Sequence, residues 1–271
     1  MSPLWRDRIG VELSPQRVVW VRMAHGLRAN VIAKGCEYVV PQESEPLWQA
    51  ALTKLEQMLR GEEWKNADVT VVLSNHFVRY DCLPWNEAVK GEEELIALAR
   101  HRLTQIYGAA AQTWLVRLSP AGKGAARMVA AIDNALLEKL RLMTAETGHQ
   151  LHSIQPYLMA SFNCFAKGLA SGDGWFVAAE NGRFALALFR SGRWQRVQLR
   201  RGAGMAALHE WLERENLTSG DGVCREVFLF GTDEREAVLP SYQLHRLELS
   251  ACQGYSPLTD TQYAMAMSGV A

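Results

Sequence analysis

One supersecondary pattern occurs twice in this chain, and this duplication constrains the fold more than any single motif does. Residues 9–23 and 175–189 each read as two β-rich runs joined by a short turn. In each copy a third strand-like run follows, at 28–36 and at 193–199, and then an amphipathic helix and a short apolar strand. Both copies therefore have the order β-β-β-α-β, which predicts two similar lobes, each a mixed sheet covered by helices.

The helix and the last strand are recognisable in each copy. In the first copy, residues 46–60 have apolar side chains at helical spacing, and residues 68–73 read as a buried strand. In the second copy, residues 205–212 mark the helix and residues 227–230 the matching strand. Two lobes of this kind enclose a cleft, so the main functional question is whether that cleft holds a ligand.

A different block separates the two copies. It reads as a strand at 77–83, a helix at 91–107 with an acidic first turn, a hairpin and a second helix, which together predict an inserted α+β subdomain. A Gly-rich stretch then leads into the second copy and is the expected hinge. We therefore expect a first lobe at 1–75 with part of 150–170, an inserted subdomain at 76–155 and a second lobe at 171–271.

Composition excludes several classes of function. The formal net charge is zero, so no nucleic-acid partner is expected. The five cysteines are widely spaced with no C-x-x-C pair, so neither a zinc site nor a redox motif is indicated, and free thiols fit the cytosol. No apolar run approaches the ~20 residues that a membrane span needs, so we expect a cytoplasmic protein with no direct membrane span.

Several segments, in their order along the chain, resemble the actin-like proteins of type IV pilus and type II secretion assembly. These are the PilM-type pilus assembly proteins, their MSHA-pilus relatives of the MshI type and the cytoplasmic domain of GspL. The run 9–23 resembles the first hairpin of the family, 73–84 a strand that ends in Leu-Pro, 129–138 with 148–156 a strand-and-helix segment, and 260–271 the closing Ala-Gly-rich helix. The resemblance implies an α/β fold of the actin-like (ribonuclease H-like) kind, with duplicated β-β-β-α-β lobes and an inserted α+β subdomain.

The resemblance also implies a function. It suggests a non-enzymatic scaffold of a type IV pilus-like assembly platform, peripheral to the inner membrane through a partner. That partner is the N-terminal cytoplasmic segment of an inner-membrane PilN-type protein, and the assembly ATPase is a further candidate. The chain ends at the closing helix, whereas GspL-like proteins continue into a membrane span, which favours the stand-alone PilM-like arrangement.

An extended peptide could dock in the groove between the first lobe and the inserted block. Edge-strand addition together with apolar pockets is a common way to bind such a peptide. The residues expected to contact it lie on and just after the strand at 77–83, and they are Val78, Tyr80, Leu83 and Trp85.

The two hairpin turns depart from what an actin-like ATP site needs. Such a site presents backbone N–H groups to the phosphates and a carboxylate from each hairpin to hydrated Mg²⁺. Here Glu12 stands where an Asp is expected, and Pro15 lies in the turn and has no N–H. In the second hairpin, Ala179 and the tight turn at Gly182 stand where an Asp and an open loop would be needed, and Gly231 is a single glycine in place of a pair.

We therefore expect the hairpins to be a retained scaffold, with no cofactor. Binding of ATP with Mg²⁺ remains the alternative, and its residues would be Glu12, Ser14, Gln16, Gly182 and Gly231.

Two other functions remain open. The chain could be a GspL-like cytoplasmic module of type II secretion that binds the secretion ATPase, or an actin-fold small-molecule kinase. Arg196, Arg200 and Arg201, near the third strand of the second copy, are expected to lie on a solvated strand face, with an acidic partner as the alternative.

Overall fold

The computed structural model describes residues 6–26, 28–65, 67–89, 91–218, 222–234 and 238–271. The chain forms two compact units. The first comprises the chain up to Phe77 together with Ala135–Cys164 and Glu248–Ala271, and the second comprises Val78–Asn134 and Phe165–Leu247.

Thirteen strands and six α-helices lie in the described residues. In chain order they are β1 (Asp7–Ser14), β2 (Arg17–Met23), β3 (Val31–Tyr38), α1 (Gln49–Leu59), β4 (Ala67–Leu73), β5 (Val78–Leu83), α2 (Glu92–Tyr107), β6 (Trp114–Leu118), β7 (Arg127–Asp133), α3 (Asn134–Glu146), β8 (Gln150–Pro156), α4 (Tyr157–Leu169), β9 (Gly174–Glu180), β10 (Arg183–Arg190), β11 (Arg193–Arg201), α5 (Gly204–Thr218), β12 (Glu226–Phe230), β13 (Gln243–Arg246) and α6 (Ala264–Ser268).

The sheet of the first unit has the strand order β3-β2-β1-β4-β8. The meander β1-β2-β3 is antiparallel, whereas β4 pairs parallel with β1 and β8 pairs parallel with β4. Residues 9–14 of the central strand β1 are all buried, including the polar Glu12 and Ser14, so this strand does not alternate between buried and exposed positions.

Two helices pack on this first sheet. α1 buries Ala51, Leu52, Leu55 and Leu59, as its helical spacing predicted. The short α6 contacts β1, β2 and β4, and it comes so close that a Cβ atom on Gly10 would lie 2.3 Å from the backbone oxygen of Ala266. The absence of a side chain at Gly10 is therefore what allows α6 to lie against β1.

The second unit repeats the same sheet plan. Its strand order is β11-β10-β9-β12-β13, again with an antiparallel meander followed by parallel strands. α5 packs on this sheet through a core that includes Trp175, Leu186, Leu208, Leu212 and Val227. The prediction of duplicated β-β-β-α-β lobes is confirmed, since both sheets have one topology.

The inserted subdomain is a three-stranded antiparallel sheet of order β5-β7-β6. α2 covers one face of it, where Ala99 and Leu103 pack against Leu83 and Val129. β5 also packs against β11 of the same unit.

The boundaries of the two lobes and of the inserted subdomain differ from the expected boundaries at two places. The run 76–155 was expected as one insertion, but β8 hydrogen-bonds to β4 and so completes the first sheet, with α3 as the connecting helix. The run 171–271 was expected as the second lobe, but Glu248–Ala271 belongs to the first unit because α6 packs on the first sheet. Hydrogen bonding and packing between distant segments decide both boundaries.

Candidate functional site

The first hairpin, the turn between β1 and β2, contains a buried ion pair. Glu12 lies on the central strand and is 1% exposed, and Arg17 is the first residue of β2. The Arg17 Nε atom donates a hydrogen bond to Glu12 Oε1 at 2.7 Å, and Nη2 donates to Oε2 at 3.2 Å. This two-point contact engages both oxygens of the carboxylate.

The environment of this pair acts in opposite directions on its two members. Burial raises the pKa of Glu12, and the adjacent Arg17 charge counteracts part of that rise. Burial by itself would lower the pKa of Arg17, but the Glu12 carboxylate more than offsets it, so the pKa of Arg17 is raised. The two charges therefore depend on each other, since either one alone would be a poorly solvated ion.

Two further groups of this turn make internal hydrogen bonds. The Ser14 hydroxyl donates to the backbone oxygen of Arg17 at 3.0 Å, and the backbone oxygen of Gln16 accepts from the Val39 N–H at 2.9 Å. Pro15, between them, has no N–H to offer.

The second hairpin joins β9 to β10 through a tight turn. Gly182 has φ +70°, a conformation that glycine adopts readily, and Ala178 and Ala179 are buried. Gly231 follows β12, whose Phe230 pairs with Ala178, so Gly182 and Gly231 lie at the same edge of the second sheet.

These residues do not fit a nucleotide with Mg²⁺. Glu12, which would have to face hydrated Mg²⁺, is engaged by Arg17 at both oxygens, and the second hairpin has buried alanines where a carboxylate would be needed. The structure brings Glu12, Ser14 and Gln16 together in the first unit, and it brings Gly182 and Gly231 together in the second. Sequence reasoning missed Arg17, although its place across the two-residue turn from Ser14, on the same face of the sheet as Glu12, was a usable signal.

No metal centre replaces the nucleotide site within the described ranges, where no group of three His, Cys, Asp or Glu side chains could hold an ion. Nor does any α-helix in those ranges combine the length and apolar character that a membrane span requires.

Of the four residues expected to bind a partner peptide, three are buried. Val78, Tyr80 and Leu83 point into the packing around β5, with exposed fractions of 0%, 7% and 2%. They are therefore out of reach of a partner in this conformation. Trp85, two residues beyond Leu83, is 43% exposed and remains the accessible member of the set.

Four exposed acidic side chains follow Trp85 in the sequence. Glu87 lies in the loop after β5, and Glu92, Glu93 and Glu94 form the first turn of α2. We call Trp85 with these four glutamates the Trp85 surface. It combines one exposed aromatic ring with exposed acidic residues that lie close to it in the sequence, and such a combination suits a segment with apolar and basic residues.

Comparisons with known proteins concern the fold. No family model matches the chain, and no curated protein matches it in sequence. Among solved structures, a PilM–PilN type IV pilus biogenesis complex aligns with a TM-score of 0.69 and 14% identity, over 97% of this chain and 97% of the other.

Two further solved structures show the same likeness. The cytoplasmic domain of EpsL, an inner-membrane component of the type II secretion system of Vibrio cholerae, aligns with a TM-score of 0.57 and 12% identity over 97% of this chain and 94% of the other. A Bacteroides thetaiotaomicron protein of unknown function with an actin-like ATPase fold aligns with a TM-score of 0.58 and 10% identity, over 91% and 94%. Together with the duplicated sheets, these likenesses establish that the chain has the actin-like ATPase fold.

Proposed function

We propose that the chain is a PilM-type, non-enzymatic scaffold of a type IV pilus-like assembly platform. The proposal draws on the likeness in fold to PilM in its complex with PilN, which extends over nearly the whole chain. In this role the chain is cytoplasmic, is held at the inner membrane by its partner, and binds the N-terminal cytoplasmic segment of a PilN-type protein.

The observation that carries the non-enzymatic part is the Glu12–Arg17 pair. An actin-fold kinase or ATPase needs an acidic side chain free to act on Mg²⁺ and on phosphate. Here that carboxylate is buried and neutralised by an arginine of the same hairpin. The hairpin then serves to hold the sheet together, which is a structural task.

The Trp85 surface is the proposed docking site for the partner segment. The cytoplasmic flank of a membrane helix has an excess of Lys and Arg, so a PilN-type N-terminal segment is expected to be basic. Exposed Glu87, Glu92, Glu93 and Glu94 would attract it, and Trp85 would provide the apolar anchor.

A peptide-binding measurement tests this proposal. A labelled peptide of a PilN-type N-terminal cytoplasmic segment is titrated with the full chain, and fluorescence anisotropy reports the affinity. Trp85→Ala should weaken binding by about tenfold or more, as expected for an aromatic anchor. The matched control is Leu217→Ala, which truncates another exposed hydrophobic residue of the same unit and should leave the affinity unchanged.

The outcome against the proposal is equally definite. If the peptide does not bind at high micromolar concentration, or if the Trp85 and Leu217 variants weaken binding equally, the docking assignment is wrong. Replacing the three consecutive acids of α2 by glutamine should reduce both the affinity and its dependence on salt.

A second candidate function follows from the likeness to the EpsL cytoplasmic domain, which also covers 97% of this chain. In that case the chain is a module of a type II secretion system, and its partner is the secretion ATPase. Capture of the purified secretion ATPase without capture of a PilN-type peptide would favour this candidate. Calorimetric titration with ATP and Mg²⁺ tests the kinase alternative, because heat of binding would contradict the proposed scaffold without a nucleotide site.

A further inference from the structure

One edge of the first sheet is covered at one end only. β3 is the outermost strand in the order β3-β2-β1-β4-β8, so one side of its main chain faces away from the sheet. At the start of β3 the C-terminal segment of the chain covers that side, because the Val31 N–H donates to the Gln253 oxygen at 2.8 Å. From residue 36 onward, no strand within the described ranges pairs with that side.

The hydrogen bonds to β2 show which main-chain groups of β3 face outward. The Val39 N–H donates to the Gln16 oxygen at 2.9 Å, which continues the pairing of β2 with β3 by one residue. Along an antiparallel pair, residues that bond to the neighbouring strand alternate with residues that do not. Cys36 and Tyr38 therefore direct their N–H and C=O groups away from β2, and each offers one donor and one acceptor to a further strand.

The side chains at this open edge are apolar and exposed. Tyr38 is 75% exposed and Val40 is 85% exposed. Side chains two residues apart on an extended segment lie on the same face, so this pair can pack against alternate side chains of an added strand. Natural proteins usually cover or charge an apolar sheet edge, because it attracts other strands.

The duplication shows how the corresponding edge is protected in the second unit. β11 is the outermost strand there, and β5 packs against it. Tyr38 stands opposite Arg17 on β2, and Arg201 stands opposite Arg183 on β10, so an exposed charge occupies the position of Tyr38. An extended segment and a charge thus protect the edge in the second unit, whereas the same place in the first unit has an exposed tyrosine.

The other arginines of β11 have an internal task. The sequence predicts a solvated face for Arg196 and Arg200, but both bind the buried carboxylate of Glu215 on α5, and Arg200 also lies over the Trp211 ring. They stabilise the second unit. Arg201 is exposed, as predicted, and is the charge at the end of that edge.

The charge near the open edge of β3 is negative. Residues 35–48 contain three acids, Glu37, Glu43 and Glu45, and no lysine or arginine. Glu37 pairs with Lys54 on α1 at 3.0 Å, whereas Glu43 and Glu45 are exposed and form no ion pair with another described residue. A second copy of the chain on this edge would bring the same acids towards each other, which is unfavourable. A basic segment is the complementary occupant.

We propose that the open edge of β3 binds an extended segment of a partner protein in which apolar and basic residues alternate. The segment adds a sixth strand to the first sheet, and its main chain exchanges hydrogen bonds with Cys36 and Tyr38. Its apolar side chains pack on Tyr38 and Val40. Glu37 lies on the opposite face of β3 from Tyr38, so the alternate lysines or arginines of the segment face this acid.

This open edge is separate from the Trp85 surface. Tyr38 belongs to the first compact unit and Trp85 to the second. The occupant is also recognised differently, through main-chain hydrogen bonds as well as through side chains. The inference therefore does not rest on the proposed PilN-type partner.

The first test uses the full chain and a labelled peptide of alternating lysine and valine. Threonine–valine and glutamate–valine peptides are the neutral and the acidic probe, and fluorescence anisotropy reports the affinities. The basic peptide should bind, the neutral one should bind more weakly, and the acidic one should not bind. Equal affinities, or no binding of the basic peptide at high micromolar concentration, would overturn the proposal.

Methylation of the peptide backbone tests whether the segment adds as a strand. Alternate amides of an added strand face β3 and the others face water. One peptide has N-methyl groups on its lysines only, and another has them on its valines only. Binding should be lost in one of the two peptides and retained in the other. Equal binding of the two peptides would show that side-chain charge alone is recognised, and the proposal would be wrong.

Two variants of Tyr38 separate its side chain from its main chain. Tyr38→Ala removes the exposed ring and should bind the basic peptide about fivefold or more weakly. Tyr38→Pro also removes an N–H that faces outward and makes no bond to β2, so it should bind about fivefold more weakly than Tyr38→Ala. Leu142→Ala truncates another exposed hydrophobic residue of the first unit and is the matched control, with native affinity expected.

The remaining outcomes are also decisive. Equal loss in the Leu142 control, or full affinity in Tyr38→Ala, would contradict the docking assignment. Self-association of the native chain in sedimentation, abolished by Tyr38→Ala, would show that a second copy occupies the edge and would overturn the proposal. If Tyr38→Pro does not fold, the two methylated peptides give the answer on the native chain. Trp85→Ala should leave binding of the lysine–valine peptide unchanged, which separates this test from that of the proposed function.

Discussion

Replacing Arg17 by alanine should destabilise the first unit far more than the loss of an ordinary surface ion pair. Removing one member of a buried pair leaves the other charge uncompensated and typically costs 3–5 kcal/mol. The Arg17 side chain is 29% exposed, so water can enter the space it leaves, and we expect a loss of about 3 kcal/mol at pH 7. Urea unfolding followed by circular dichroism measures the loss.

The pH dependence of this variant has a definite sign. Without Arg17, the pKa of Glu12 rises further above its ordinary value of about 4.3. The folded state then binds a proton more readily than the unfolded state, so the variant should regain stability, relative to the native chain, as the pH falls from about 7 to about 5.

A double variant and a surface-pair variant serve as controls for this prediction. Glu12→Leu/Arg17→Met removes both charges and should restore stability to within about 1 kcal/mol of native. Arg60→Ala removes an exposed pair with Glu56 and should cost less than about 1 kcal/mol. If Arg17→Ala lowers the free energy of unfolding by less than about 1 kcal/mol and shows no recovery at acidic pH, the view that this buried ion pair stabilises the hairpin is refuted.

Two further substitutions probe how the C-terminal segment is held. Gly10→Ala should lower the free energy of unfolding by about 1–3 kcal/mol in urea, because the new methyl group overlaps the Ala266 oxygen. Gly122→Ala is the control and should be nearly neutral, because its methyl group meets no atom within 4 Å. Equal effects of the two substitutions would contradict the close approach of α6. In the native chain, Asp260 pairs with Lys34. Burial acts to raise the pKa of Asp260, but the hydrogen bonds from Lys34 and from the Ser256 backbone outweigh it and hold that pKa below its ordinary value. Asp260→Asn removes this negative charge. The stabilisation by the Asp260 charge is present above the unfolded pKa of about 3.9 and is lost as the pH falls through the folded pKa. The free energies of unfolding of the native chain and the variant should therefore differ at pH 7 and converge in acid. A difference that does not change with pH would contradict this prediction.

Much of the fold was predictable because its signals are local. The meander strands are β-rich runs bounded by turns, and the helix of each lobe has apolar spacing that its packing confirms. Comparing the two copies also predicted, from Pro15 and Ala179, that the hairpin turns lack what a phosphate needs.

The candidate site was less predictable, since it depends on what packs over each residue. Val78, Tyr80 and Leu83 have the chemistry of a docking strand, but nothing in the order of residues indicates that other elements cover them. Likewise Glu12 reads as a possible Mg²⁺ ligand until Arg17 is seen to hold it at 2.7 Å.

The repeated pattern of strands and helices is encoded in local hydrophobic periodicity, so the order of residues alone is enough to identify two equivalent lobes with an insertion between them. Long-range contacts determine the rest. They place α6 on the first sheet and add β8 to that sheet beside β4. Segments far apart in the chain meet only when the sheets form, and burial then decides which charges are neutralised inside and which remain at the surface.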